Sequence, residues 1–155
     1  MARGGGFRSL VIGVDGSSAS RRAVSFVGRL QPRSGGRATV VCVVEPVHPP
    51  SIRLLPGPIR ARLGGQAAAL EAALARLARR HVETAVTRLE KSGWRARGEL
   101  SSGAPLDGLL RAVRTARADL LVLGAGEAGR VARFLLGSVA DAATRRSPVA
   151  VLIVK

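Results

Sequence analysis

The 155-residue sequence predicts an α/β fold: one open, five-stranded parallel sheet with helices on both faces. Three observations carry that expectation. Short apolar runs rich in β-branched residues alternate along the chain with longer segments of helical periodicity. The apolar runs are continuous, as suits strands buried on both faces, and the intervening segments are long enough to cross over between parallel strands. No internal repeat or low-complexity linker divides the chain, so residues 1–155 read as one domain.

Ser9 to Val14 is the first strand, broken by Asp15-Gly16-Ser17-Ser18. Ala19, Ala23, Phe26, Val27 and Leu30 then recur at helical spacing, with Ser17 or Ser18 available as the N-cap. Gly35-Gly36 turns the chain, and Ala38 to Val44 forms strand two. Pro46 to Pro58 is a proline-rich loop, long enough for a lid or insertion. A long helix is expected from Ile59 to Lys91, its apolar stripe marked by Leu63, Ala67, Leu70, Leu74, Leu77, His81, Ala85 and Leu89. Gly64-Gly65 weakens its start. Trp94 to Leu100 is strand three, near a sheet edge, followed by a turn at Ser101 to Gly103. Pro105 suits a first helical turn, and Leu106, Leu109, Leu110 and Val113 give that helix its buried face. Asp119 to Leu123 is strand four, Ser138 to Arg146 a helix, and Pro148 to Val154 strand five.

Composition narrows the function. At 46% hydrophobic the chain is not disordered. No apolar run reaches the roughly 20 residues of a membrane span, and the N-terminus lacks a signal-peptide core, so a cytoplasmic location without membrane contact is expected. Residues 1–7 read as a flexible tail. The lone Cys42 falls in an apolar run and reads as buried and inert. The net charge is +15, and only Lys91 and Lys155 among 25 basic residues are lysines. Such a surplus attracts polyanions non-specifically. With no Tyr, one Trp and three Phe, a base-stacking platform is hard to build, so specific nucleic-acid binding is not expected.

The chemistry concentrates in Leu120 to Val139. A buried strand ends in glycines, a loop follows, and Gly137-Ser138 opens a helix. Free N–H groups and the helix dipole make such a place attractive to anions. Gly124-Ala125-Gly126-Glu127-Ala128-Gly129 matches the dinucleotide fingerprint G-x-G-x-x-G, but the expected ribose-binding acid about 20 residues on is missing, and the match sits on strand four, not strand one. No Walker lysine follows a glycine loop. His48 and His81 form no metal-ligand set with Cys42, no catalytic triad stands out, and Asp107 and Asp141 read as solvated helix residues. Neither catalytic nor metal-binding residues are expected.

A longer spacing is more informative. Gly13-Val14-Asp15-Gly16-Ser17 after strand one, Val41 to Glu45 on strand two, Gly124 followed at a distance by Gly137-Ser138, and the closing apolar strand together resemble the universal stress protein family over nearly the whole chain. The resemblance implies the strand order 3-2-1-4-5 and a cytoplasmic homodimer paired through strand residues 149–154. It also implies a regulatory, stress-response role with ATP or a related adenine nucleotide bound, possible Mg²⁺ included, and at most very slow hydrolysis. The ATP-binding branch carries G-x2-G-x9-G-[S/T]. On this chain the first glycine is Gly124, the spacer Ala128 to Leu136, and the final pair Gly137-Ser138. Nucleotide contacts are thereby implied for Asp15 and Val43 on the adenosine side, and for Gly124, Gly126, Glu127, Gly137, Ser138 and Val139 on the phosphate side. Beside these roles stand plain ones: a helix cap for Asp15 or Ser138, and core for Val43.

Glu127 stands where the family has its second glycine. A like charge about 4 Å from a phosphate, at an effective dielectric near 20, costs roughly 4 kcal/mol before relaxation. The alternative function follows: the same fold without nucleotide, acting as a protein-interaction module.

Overall fold

The computed structural model describes residues 7–30, 32, 34–47, 54, 56–126 and 136–155. Strands and helices alternate throughout: β1 (Ser9–Gly13), α1 (Ser18–Arg29), β2 (Arg37–Val44), α2 (Gly57–Lys91), β3 (Arg95–Ser102), α3 (Pro105–Ala116), β4 (Leu120–Gly124), α4 (Ser138–Arg146) and β5 (Ala150–Val154). The five strands pair in parallel in the order β3-β2-β1-β4-β5. That is the expected architecture and order. β1 and β4 lie side by side, and β3 and β5 are the edges.

The alternation of side chains along each strand divides the core in two. Leu10, Ile12, Val40, Cys42, Leu120 and Val122 point to the face covered by α1 and α2. Val11, Val41, Leu121 and Leu123 point to the face covered by α3 and α4. Continuous apolar runs mark β1, β2, β4 and β5, because both faces need them there, whereas the edge strand β3 alternates loosely and carries Arg95, Arg97 and Glu99. Trp94 is buried beside α1, and its indole N–H donates to the Val27 carbonyl at 3.2 Å. Buried side-chain nitrogen and oxygen atoms in the described residues all have partners.

Several local expectations are corrected. Strand three runs on to Ser102, because Val43 and Val44 pair with Ser101 and Ser102 in continuous register. Strand five begins at Ala150; Pro148 has no N–H for a ladder, and the Ser147 hydroxyl donates to the Val149 carbonyl just before the strand. Helix α2 begins at Gly57 and runs unbroken through Gly64-Gly65.

The larger correction concerns which part of α2 is buried. At 35 residues it is about 52 Å long, whereas the eight-residue β2 spans about 26 Å. The helix outruns the sheet. Ala78, Val82, Ala85 and Leu89 are its buried line. Leu63, Leu70, Leu74 and Leu77, expected to be core, are exposed. Gly98 of β3 lets the buried end sit close: a Cβ there would collide with Val82.

Of the remaining expectations, Met1 to Gly6, His48 and most of the Pro46–Pro58 loop lie outside the described residues, as does the segment from Glu127 to Leu135.

Candidate functional site

Helix α1 starts where β1 ends, and the turn between them is closed by its own side chains. The Ser17 hydroxyl caps α1 by accepting from the Ser20 N–H at 3.1 Å. Asp15 accepts from the Ser17 N–H at 2.9 Å. Gly16 turns with φ +80°, and a Cβ there would collide with the His81 ring, so His81 braces this turn from behind. The plain role foreseen for Asp15, a cap, is thus divided: Ser17 caps the helix and Asp15 closes the preceding turn.

Helix α4 is built differently. Its N-cap is Gly137, not Ser138, and no side chain caps it. Ser138 is the first helical residue, so the N-cap expectation for its hydroxyl is corrected. A helix start without a side-chain cap presents its first N–H groups to whatever lies in front of them.

In front of it lies a cleft of about 270 Å³ at the carboxyl ends of β1 and β4. This is the crevice where strand order reverses, the usual binding place of open parallel sheets. Asp15, Val43, Gly124, Gly126, Gly137, Ser138 and Val139 all line it. Glu127 lies outside the described residues. Seven of the eight expected site residues, spread over four segments of the chain, therefore share one cavity. Sequence reasoning missed Pro105 and Leu109, which α3 contributes one turn apart. The signal was present: Pro105 follows strand three at the carboxyl edge of the sheet.

The glycines do distinct work. A Cβ on Gly124 would sit 2.5 Å from the Ala19 backbone, so that glycine lets α1 approach β4. A Cβ on Gly126 (φ +81°) would sit 2.9 Å from Gly137 Cα. The Gly137 N–H donates to the Ala125 carbonyl at 2.7 Å, and the Ala125 N–H to the Val154 carbonyl at 2.8 Å. The loop between Gly126 and Gly137 is therefore closed at its base, with both glycines on the cleft wall.

The cleft has two chemical zones. Val41, Val43, Pro105, Leu109 and Leu123 form an apolar wall. Ser17, Asp15, Ser138 and the glycine backbone form a polar rim. Among the described lining residues Asp15 is the only charged side chain. Partial burial pushes its carboxyl pKa up, but hydrogen bonds from the Ser17 side chain and backbone and from Ser20 outweigh this, leaving it below the ordinary value of 3.8. It is a carboxylate at neutral pH, an acceptor for hydroxyl or amino groups and a poor neighbour for phosphate.

Cys42 faces the other side of the sheet. Burial raises its thiol pKa and the Asp15 charge adds to this, so it stays protonated. No group of three or more His, Cys, Asp or Glu that could hold a metal occurs among the described residues. Asp107 and Asp141 pair at the surface with Arg146 and Arg145. No described helix is long and apolar enough to cross a membrane.

Comparison with known proteins gives the same picture. The model of the universal stress protein family matches residues 6–155. Among solved structures, the hypothetical protein MJ0577 superposes with a TM-score of 0.78 at 18% identity, over 96% of this chain and 95% of that one. A universal stress protein in complex with cAMP superposes with a TM-score of 0.60 at 29% identity, over 96% and 97%. The universal stress protein from Archaeoglobus fulgidus in complex with dAMP gives 0.62 at 20% identity, over 95% and 97%. The search of curated proteins finds no match.

Proposed function

The chain belongs to the universal stress protein family, and we propose that it is a cytoplasmic, homodimeric, stress-responsive regulator that holds an adenine nucleotide, ATP in particular, in the cleft between β1 and β4. The observation that carries this reading is the contrast between the helix starts that follow β1 and β4, the two strands flanking the cleft. Helix α1 is capped by Ser17, whereas α4 begins at Gly137 without a side-chain cap and lines the cavity with its first residues. The free N–H groups and the positive end of the helix dipole suit a phosphate. The apolar wall suits an adenine ring, with Val43 against it. The Asp15 carboxylate suits the ribose hydroxyls and keeps the phosphates toward α4. The related protein crystallised with cAMP, at 29% identity, supports the ligand class. Any Mg²⁺ would arrive on the phosphates, because Asp15 is the only described carboxylate in the cleft.

The nucleotide acts as a signal in this reading, with at most slow hydrolysis: the Asp15 carboxylate, held below its ordinary pKa, is a weak general base. Dimerisation is assigned to β5, an edge strand whose residues Ala150–Val154 carry no charge. Pairing with a second copy removes that open edge.

Calorimetry with AMP and with ATP plus Mg²⁺ tests the assignment. Binding is expected in the wild type and lost in Gly137→Trp, whose side chain would press on the Gly126 and Ala125 backbone and displace the glycine wall of the cleft. No binding at millimolar nucleotide would overturn it. Sedimentation tests the dimer: Ile153→Lys, a charge on the edge strand, is expected to yield monomers.

A second reading, an interaction module that works without nucleotide, has one observation of its own. Ile59, Leu63, Leu70, Leu74 and Leu77 are exposed along the overhanging part of α2. Under that reading Glu127 takes the place of the phosphates, and the Glu127→Gly variant would gain nucleotide binding that the wild type lacks.

A further inference from the structure

The opposite end of the sheet is chemically unlike the cleft. β1, β2 and β3 are adjacent and parallel, so their amino ends lie together. Each begins with or follows an arginine: Arg8, Arg37 and Arg95. Arg37 and Arg95 are register partners on neighbouring strands, so their side chains leave the same face of the sheet. The Arg37 N–H donates to the Arg8 carbonyl at 2.9 Å, which holds the Arg8 backbone at the same edge. The three, with Ser34 and Gly35 of the preceding turn, line a cleft of about 470 Å³.

Like charges set side by side in a sheet oppose one another and need a counter-charge. Among the described residues one carboxylate, Asp119, stands at this edge against three arginines. The ion pairs of Arg145 with Asp141 and of Arg146 with Asp107 lie elsewhere. Asp119 reaches this edge, but its two oxygens accept from the backbone N–H groups of Arg8 and Ser9. Other arginines have partners for their side chains: Arg97 donates to Thr39, Arg22 to Ser18 and Arg21 to the Gly16 carbonyl. The guanidinium groups of Arg8, Arg37 and Arg95 have none of these.

We propose that this arginine cleft is a second ligand site, specific for a small molecule carrying linked phosphates, of which inorganic pyrophosphate is the simplest. Guanidinium forks match phosphate oxygens two at a time, and a linked pair of phosphates offers enough charge to neutralise all three arginines. The Ser34 hydroxyl adds a further polar group at the rim. Along β2, Arg37 stands four and six residues from Val41 and Val43 of the nucleotide cleft, about 13–20 Å away, so the two sites share no lining residue.

The test is calorimetric titration with pyrophosphate at fixed ionic strength, in the wild type and in the Gly137→Trp background where the glycine wall of the nucleotide cleft is displaced. Binding is expected in both. Arg37→Ala/Arg95→Ala is expected to weaken it by about tenfold or more. The control pair Arg62→Ala/Arg76→Ala, exposed on α2 and equal in lost charge, is expected to change it by less than about twofold. Arg37→Lys/Arg95→Lys, which keeps the charge and loses the fork, should fall between. The inference is overturned if both alanine pairs weaken binding equally, for the attraction is then only the field of the whole surface. It is overturned equally if the lysine pair binds as the wild type does, or if pyrophosphate fails to bind at millimolar concentration while a single-stranded oligonucleotide does.

Discussion

The two ends of the β-sheet are built from opposite materials. The carboxyl edge is lined by glycines, small apolar side chains and one carboxylate. The amino edge is lined by three arginines. At the carboxyl edge, attraction for anions comes from backbone, through a helix start that no side chain caps. At the amino edge it comes from side-chain charge. A backbone site holds its donors in fixed positions and can shape itself around one ligand. A side-chain site has strong charge but long, mobile arms, so it reads charge more than shape.

That contrast yields predictions of graded size. The largest is at the carboxyl edge. Gly137→Trp is expected to weaken adenine-nucleotide binding by about 100-fold or more, roughly 2.7 kcal/mol, with the circular dichroism spectrum retained. Retained affinity in that variant would place the nucleotide elsewhere. Next comes Asp15→Asn, which exchanges a charged acceptor for a neutral one. A hydrogen bond to a charged group is worth about 1.5–3 kcal/mol, so AMP affinity should fall by about tenfold or more, while adenine alone binds with little change. Glu127→Gly works in the other direction. Restoring the glycine that the family's loop pattern has at this position removes one negative charge and should tighten ATP by about fivefold, with a smaller gain for AMP, as the number of phosphates dictates.

The smallest effects concern pH and the far edge. The Asp15 pKa lies below its ordinary value in the folded protein. Its carboxylate therefore favours the fold at pH above that ordinary value, and the contribution is lost as pH falls through the lowered one. Denaturant melts from pH 6 down toward pH 3 should show a shallower loss for Asp15→Asn than for the wild type. Arg37→Ala/Arg95→Ala should change AMP affinity by less than about twofold, because AMP is held at the other end of the strands.

Much of this molecule was legible in the sequence, and the exceptions have physical reasons. Continuous apolar runs identified four of the five strands, since a sheet covered on both faces leaves no solvated side to interrupt them, whereas the edge strand β3, with Arg95, Arg97 and Glu99, shows only loose alternation. The spacing from Gly124 to Gly137-Ser138 found both walls of the cleft's loop. Three things were hidden. Which residue caps α4 depends on backbone angles: Ser138 looks like a cap, but the chain enters the helix at Gly137 (φ −56°, ψ 151°). The leucine stripe of α2 has sound helical periodicity, yet periodicity cannot say whether anything lies opposite. Because the helix outruns the sheet, Leu89 is buried and Leu70 is not. The arginine cleft was hidden most deeply. Its residues are scattered in sequence, and only the parallel order β3-β2-β1 brings the strand starts together.

The central claim is that an adenine nucleotide sits between β1 and β4. Backbone amide shifts on titration with AMP test it most directly. AMP carries the base, the ribose and a single phosphate, so it has no linked phosphates to draw it to the arginines. The account predicts saturable shifts at Gly13 to Ser17, Val43, Gly124 to Gly126 and Gly137 to Ala140, with Ser34 to Arg37 and Arg95 unmoved. Shifts confined to the arginine edge, or none at millimolar AMP, would contradict it.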